Sequence, residues 1–210
     1  MLYTDLNAEI LPDVPGCPDL SIARAVRDSA IEFFDTTLAY TVDQDPEPIF
    51  AGLDAVDLAI PTGTRLVQFL RAQIGVKPMM QLNRDQLMRA PTKWQTLTGY
   101  PEAIVFASET SVRLVPVPDA VTADPLYLRF AVAPTRKSTS IPDDLGERYY
   151  REIVAGAKSR LFLMPQRDWS NEKLGMAYRS LYERGMKEAR LTESQDRISA
   201  TRRVNLRRVV

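Results

Sequence analysis

The 210-residue chain contains no histidine and a single cysteine, and each absence removes a branch of chemistry. Without imidazole there is no Ser-His-Asp triad, no Cys-His pair and no histidine metal site, and no side chain whose ordinary pKa lies near neutrality. Cys17 alone excludes an intrachain disulfide, a CxxC redox pair and a thiolate zinc cage. Long apolar runs are also missing. The longest, such as Ile104-Val105-Phe106-Ala107 and Leu161-Phe162-Leu163-Met164, fall far short of the roughly 20 residues that span a bilayer. The first segment bears Asp5 and Glu9 where a secretory signal needs positive charge, and no Asn-x-Ser/Thr acceptor occurs. The expectation is a soluble protein made in a cytoplasm, with no membrane partner and no metal or organic cofactor.

What is present is an ordinary globular composition, 45% hydrophobic and 26% charged, long enough to bury a sizeable core. The 27 bases and 27 acids cancel, yet they are unevenly placed. Residues 1–61 hold twelve acids against Arg24 and Arg27 alone, a balance of −10 that the remainder offsets with +10. An acidic front and a basic back suit head-to-tail or heterotypic contacts. The same pattern also arises when both ends are simply solvated, or lie side by side in the fold.

Prolines at 12, 15 and 18, with Gly16, make a rigid leading loop, after which Asp19 or Ser21 is placed to cap a helix of about 16 residues. Ile22, Ala25, Val26, Ser29, Ala30, Phe33 and Phe34 recur on its inner face, and Arg24, Arg27, Asp28, Glu32 and Asp35 face away. Residues 38–140 change character. Strands are expected over 38–42, 55–60 and 65–74, a short helix capped by Asn83 over 82–89, and further strands over 103–107, 112–117 and 126–133. The last three are closely spaced, which favours an antiparallel meander. Pro142-Asp143-Asp144 opens a second helix whose stripe is Leu145, Tyr149, Ile153, Gly156, Ala157, Leu161 and Met164. Pro165 ends it, and a third helix runs from about Ser170 to Leu191 with Leu174, Ala177, Tyr178, Leu181, Gly185 and Ala189 inward. The small residues Gly156, Ala157, Gly185 and Ala189 suit a close antiparallel hairpin. The expected class is α+β: a helical bundle built from residues 1–37 and the helix hairpin 141–192, with an inserted antiparallel β-rich region 38–140 and an extended basic C-terminal arm 193–210.

Catalytic motifs fail one by one. Asp43-x-Asp45-x-Glu47 lacks the glycine and glutamate of a calcium loop and is expected to be a solvated acidic turn. Gly156-Ala157-Lys158-Ser159 has the wrong spacing for a phosphate loop and sits inside a helix. Asp143, Asp144 and Glu147 are explained by the helix dipole, and Cys17 has no basic neighbour in sequence. No enzyme is expected. The interaction signal is the tail, where Arg202-Arg203 and Arg207-Arg208 alternate with Val204, Leu206, Val209 and Val210. Such an arm suits strand addition to a partner or nonspecific phosphate contact.

The run from Leu11 to Tyr40, with Val14-Pro15-Gly16-Cys17-Pro18 leading into Arg27-Asp28-x-Ala30-x-Glu32-Phe33, resembles the N-terminus of head-to-tail adaptor proteins of short-tailed phages and related prophages. Val112–Asp119 and the hairpin from Ile141 to Arg190 match the same type, so the resemblance covers most of residues 10–192. It implies a virion protein of the neck, forming a homo-oligomeric ring, typically of twelve copies, between the portal protein and a tail nozzle or tail-tube protein. DNA would pass through the lumen without sequence-specific binding. Residues 193–210 would be an arm reaching the portal, anchored by Arg197, Arg202, Arg203, Arg207 and Arg208. The alternatives are a tail-tube or tail-completion protein and, in a different class, a DNA-binding packaging accessory.

Overall fold

The structure, a computed structural model, describes residues 1–82, 84–88 and 94–197. Helices α1 (Asn7–Ile10), α2 (Asp19–Thr37), α3 (Arg84–Met88), α4 (Asp143–Phe162) and α5 (Glu172–Arg197) flank nine strands in chain order. These are β1 (Thr41–Asp43), β2 (Glu47–Ile49), β3 (Ala55–Asp57), β4 (Thr64–Ile74), β5 (Lys77–Pro78), β6 (Met80–Gln81), β7 (Ala103–Phe106), β8 (Ser111–Val115) and β9 (Thr122–Pro134). The mixture of segregated helices and mainly antiparallel strands is an α+β fold.

Helix α2 forms where its pattern predicts. Ile22, Ala25, Val26, Ser29, Ala30, Phe33, Phe34 and Thr37 are its buried face. It is longer than expected, and Pro18 occupies the N-cap position, so neither Asp19 nor Ser21 caps it. Proline fits there because it begins the helix without an amide to satisfy. Leu38 closes the helix in the left-handed region (φ 58°), its amide donating to the Phe34 carbonyl. The strand expected from residue 38 therefore starts only at Thr41.

The strands make two sheets, one in the order β1-β9-β4-β5 with β2 also on β9, the other β3-β8-β7-β6. The expected meander holds for β7 and β8 but stops there. β3 occupies the free edge of β8, pairing Ala55 with Arg113, so β9 crosses to the other sheet and pairs with β4 instead. The short β6–β7 pair is parallel, a departure from an all-antiparallel region. Leu126, Leu128, Phe130 and Val132 of β9 join Phe69, Ile104, Val112 and Leu114 in a core between the sheets. Along β9 only alternate residues are buried as far as Phe130, and from there to Pro134 every residue is buried. That unbroken apolar stretch is the part covered on both faces, with Ala133 belonging to the core of the helices.

Helices α2, α4 and α5 form the second core, around Phe33, Phe34, Tyr149, Ile153, Leu161 and Tyr182. The stripe assigned to α4 is inward throughout, with Leu145 and Met164 partly buried at its ends. In α5 the buried face is Gly175, Tyr182, Gly185, Met186 and Ala189, whereas Leu174, Ala177 and Leu181 face solvent. The reason is one aromatic ring. Tyr182 is fully buried, and a Cβ on Gly156 would lie 2.8 Å from that ring and 3.0 Å from the Ser29 Cβ. Seating this ring turns the leucines outward. Helix α5 also continues to Arg197, past the expected end near Leu191. Tyr149 donates to the Glu193 carboxylate at 3.0 Å, and Arg148 approaches it at 3.5 Å. Residues 193–197 are thus helix rather than extended arm.

Replacing Gly156 with valine should destabilise the protein by about 3 kcal/mol through overpacking against Tyr182 and Ser29, measured by urea unfolding. Burial, reinforced by Glu193, pushes the Tyr149 phenol up to about 12, and burial raises Tyr182 as well. A phenol kept neutral by the fold stabilises it fully below its unfolded pKa of about 10, and that contribution is lost as pH rises through the folded value. Stability should therefore fall between pH 10 and about 12, and Tyr149→Phe should flatten part of that fall.

Candidate docking surfaces

Many of the front's acids are neutralised by the back within the same molecule. Asp13 pairs with Lys158 at 2.6 Å, Asp35 with Arg65 at 2.5 Å, Asp43 with Arg129 at 2.7 Å and Asp54 with Arg113 at 3.0 Å. Glu32 takes two guanidiniums, Arg160 at 2.5 Å and Arg179 at 3.0 Å. The side-by-side alternative therefore explains much of the −10/+10 split, because residues distant in sequence meet across α2, α4 and the sheet.

The residues considered for chemistry take structural places. Cys17 is buried, and burial raises its thiol pKa, which lowers its reactivity. Lys158 serves Asp13, and Gly156 makes room for Tyr182. Gln44, between Asp43 and Asp45, is buried and stitches the two sheets together. Its amide nitrogen donates to the Asp57 carbonyl at 3.1 Å and to Glu47 at 2.7 Å, while its oxygen accepts from the Ala59 amide at 3.2 Å. The acidic turn is exposed around this anchor, as expected. Among the described residues no group of histidine, cysteine, aspartate and glutamate side chains is arranged to hold a metal. None of the described helices is long and apolar enough to cross a membrane.

Three surfaces stand out. The first is a groove of about 780 Å³ where α2 meets the start of β4 and the end of β9, lined by Arg24, Arg27, Arg65, Arg136 and Arg160 with Asp28, Glu32 and Asp35. Around Glu32 the cations are held firmly: Arg160 also donates to the Ser29 hydroxyl at 3.2 Å, and Arg179 to Glu183 at 2.8 Å. The hydrogen bond that Arg179 donates to Glu183 raises the Arg179 pKa, aided by Glu32. Burial raises the Asp35 pKa while the Arg65 charge opposes the rise. The second is the end of the sheets farthest from the helices. The Gly75 amide donates to Pro125 and Ile49 aligns with Thr122, which gathers the exposed Phe50, Val76 and Val121 at one end. The third is the outer face of α5, with Leu174 and Leu181 each close to half exposed. Of the arginines assigned to the arm, Arg197 is the last residue of α5, and Arg202, Arg203, Arg207 and Arg208 lie outside the described residues. The groove arginines are spread from position 24 to 160, so no local sequence cluster announces them. The available signal was the polar face of α2, which places Arg24, Arg27 and Asp28 outward.

Open surfaces with shape and charge are what a docking protein offers, and these three are the surfaces the fold presents. The chain belongs to the SU10 adaptor protein family, whose family model matches residues 1–207. It is thus a structural adaptor protein of a phage, and its place is the virion. A search of curated proteins finds no match.

Glu32→Gln should cost about 1 kcal/mol, the scale for a partly exposed ion pair, and the loss should shrink at high salt. Urea midpoints of both proteins at low and high salt measure it.

Proposed function

We propose that this chain forms a homo-oligomeric ring of twelve copies that joins the portal protein to the tail nozzle or tail tube, with the DNA exit channel through its lumen. The observation that carries the reading is the family match across nearly the whole chain. Two features of the molecule support it. The helices and the far end of the sheets lie at opposite ends of β9, which suits a protein contacted from two sides. The apolar end with Phe50, Val76 and Val121 is the surface for a tail component. In this reading the bundle forms the ring wall and the region 38–140 projects as a second layer. The C-terminal arm, which follows Arg197 at the end of α5, binds an acidic portal surface through Arg202, Arg203, Arg207 and Arg208.

Because Glu193 is tied to Tyr149 and Arg148, the truncation that isolates the arm ends at Arg197. A protein of residues 1–197 should keep the thermal midpoint of the full chain and lose co-sedimentation with the purified portal. Attachment equal to that of the full chain would remove the arm from the account. Failure of the full chain to bind portal would remove the adaptor reading itself.

A further inference from the structure

The β1 side of the β1-β9-β4-β5 sheet and the groove where α2 meets the start of β4 differ in charge. On the β1 edge, Gln44 locks the β1–β2 turn onto β3, which brings Asp45, Glu47 and Asp57 together on one exposed border. Asp45 and Asp57 pair with no cation among the described residues. On the opposite side of β9, Arg65, the second residue of β4, lines the arginine groove.

That groove is short of carboxylates. Asp28 is approached by both Arg24 and Arg27, at 3.9 and 3.5 Å, and Glu32 by both Arg160 and Arg179. Arg136, exposed just past the end of β9, pairs with no carboxylate among the described residues. Two guanidiniums sharing one carboxylate leave a net positive charge and unused donors in the fork.

We infer that the groove receives the acidic border of a second copy, Asp45, Glu47 and Asp57 of one protomer seating among Arg24, Arg27 and Arg136 of the next. This deepens the adaptor reading and rests on it, since it names the surfaces by which copies meet. The carboxylate border and the groove are different surfaces of one protomer, so the pairing is heterologous. Each docked copy presents a fresh groove or border, and the series closes into a ring when the rotation allows. Charge complementarity of this kind steers association and is weakened by salt.

Charge reversal tests it in the full-length chain. The border variant Asp45→Lys/Asp57→Lys and the groove variant Arg24→Glu/Arg136→Glu both change exposed side chains outside the Gln44 anchor, and their thermal midpoints should match the parent. In sedimentation velocity at about 50 mM salt the parent should self-associate, and each variant alone should do so at least about tenfold more weakly. An equimolar mixture of the two should recover association, because the reversed border of one then meets the reversed groove of the other. Recovery in the mixture, with loss in each variant alone, supports the pairing. Variants that associate like the parent, a mixture no better than its components, or a parent monomeric at every concentration and salt would overturn it. So would a groove variant that loses salt-sensitive binding to duplex DNA while self-association stands unchanged. Portal co-sedimentation keeps the two readings apart: portal binding retained with self-docking absent overturns the edge pairing alone.

Discussion

The bundle depends on the seat of one tyrosine. Tyr182 lies over Gly156 and gives its hydroxyl proton to the Ser29 carbonyl at 2.7 Å, so a single side chain of α5 touches both other long helices. Any side chain at 156 would collide with it. Fixing that ring fixes the rotation of α5, which brings Arg179 to the carboxylate that Arg160 already holds. Ser29 takes part three times, through its Cβ against Gly156, its carbonyl with Tyr182 and its hydroxyl with Arg160. Packing at this point therefore positions the charged groove above it.

Charge is used at two levels. Inside the molecule, acids of the first sixty residues are matched with bases from the rest, and these pairs tie α2 to α4, α5 and the sheet. Most of the partners keep substantial solvent exposure, so the pairs define which elements meet more than they stabilise the fold. Two groups among the remaining charges face different ways. Carboxylates remain on the border anchored by Gln44, and guanidiniums remain across the sheet. A chain with zero net charge thereby keeps two surfaces of opposite sign.

Much of the helical architecture was legible in the residues. The α2 pattern predicted every residue of its buried face but Thr37, because three- and four-residue spacing of large apolar groups has one helical solution. The α4 stripe was equally readable. For α5 the pattern misled: Leu174, Ala177 and Leu181 have helical spacing but lie outward. Tyr182 wins the inner position because Gly156, twenty-six residues earlier, offers a hollow that fits a ring. Strand positions in the middle region were close, whereas the crossing of β9 between sheets was not readable. It depends on β3 claiming the edge of β8. At the candidate site, the polar face of α2 was visible, but Arg136 and Arg160 join it only through the fold.

The sequence by itself determined the excluded chemistry, the α+β class, the inner face of the first helix and the resemblance to adaptor proteins. The first three rest on composition and on local periodicity, which act over one or two turns of chain, and the resemblance rests on the order of motifs such as Val14–Pro18 and Arg27–Phe33. Tertiary structure alone decided which acids meet which bases, where α5 ends, and which side chains line the charged groove. Those outcomes depend on contacts between residues far apart along the chain, and periodicity holds no information about which distant partner a side chain will find.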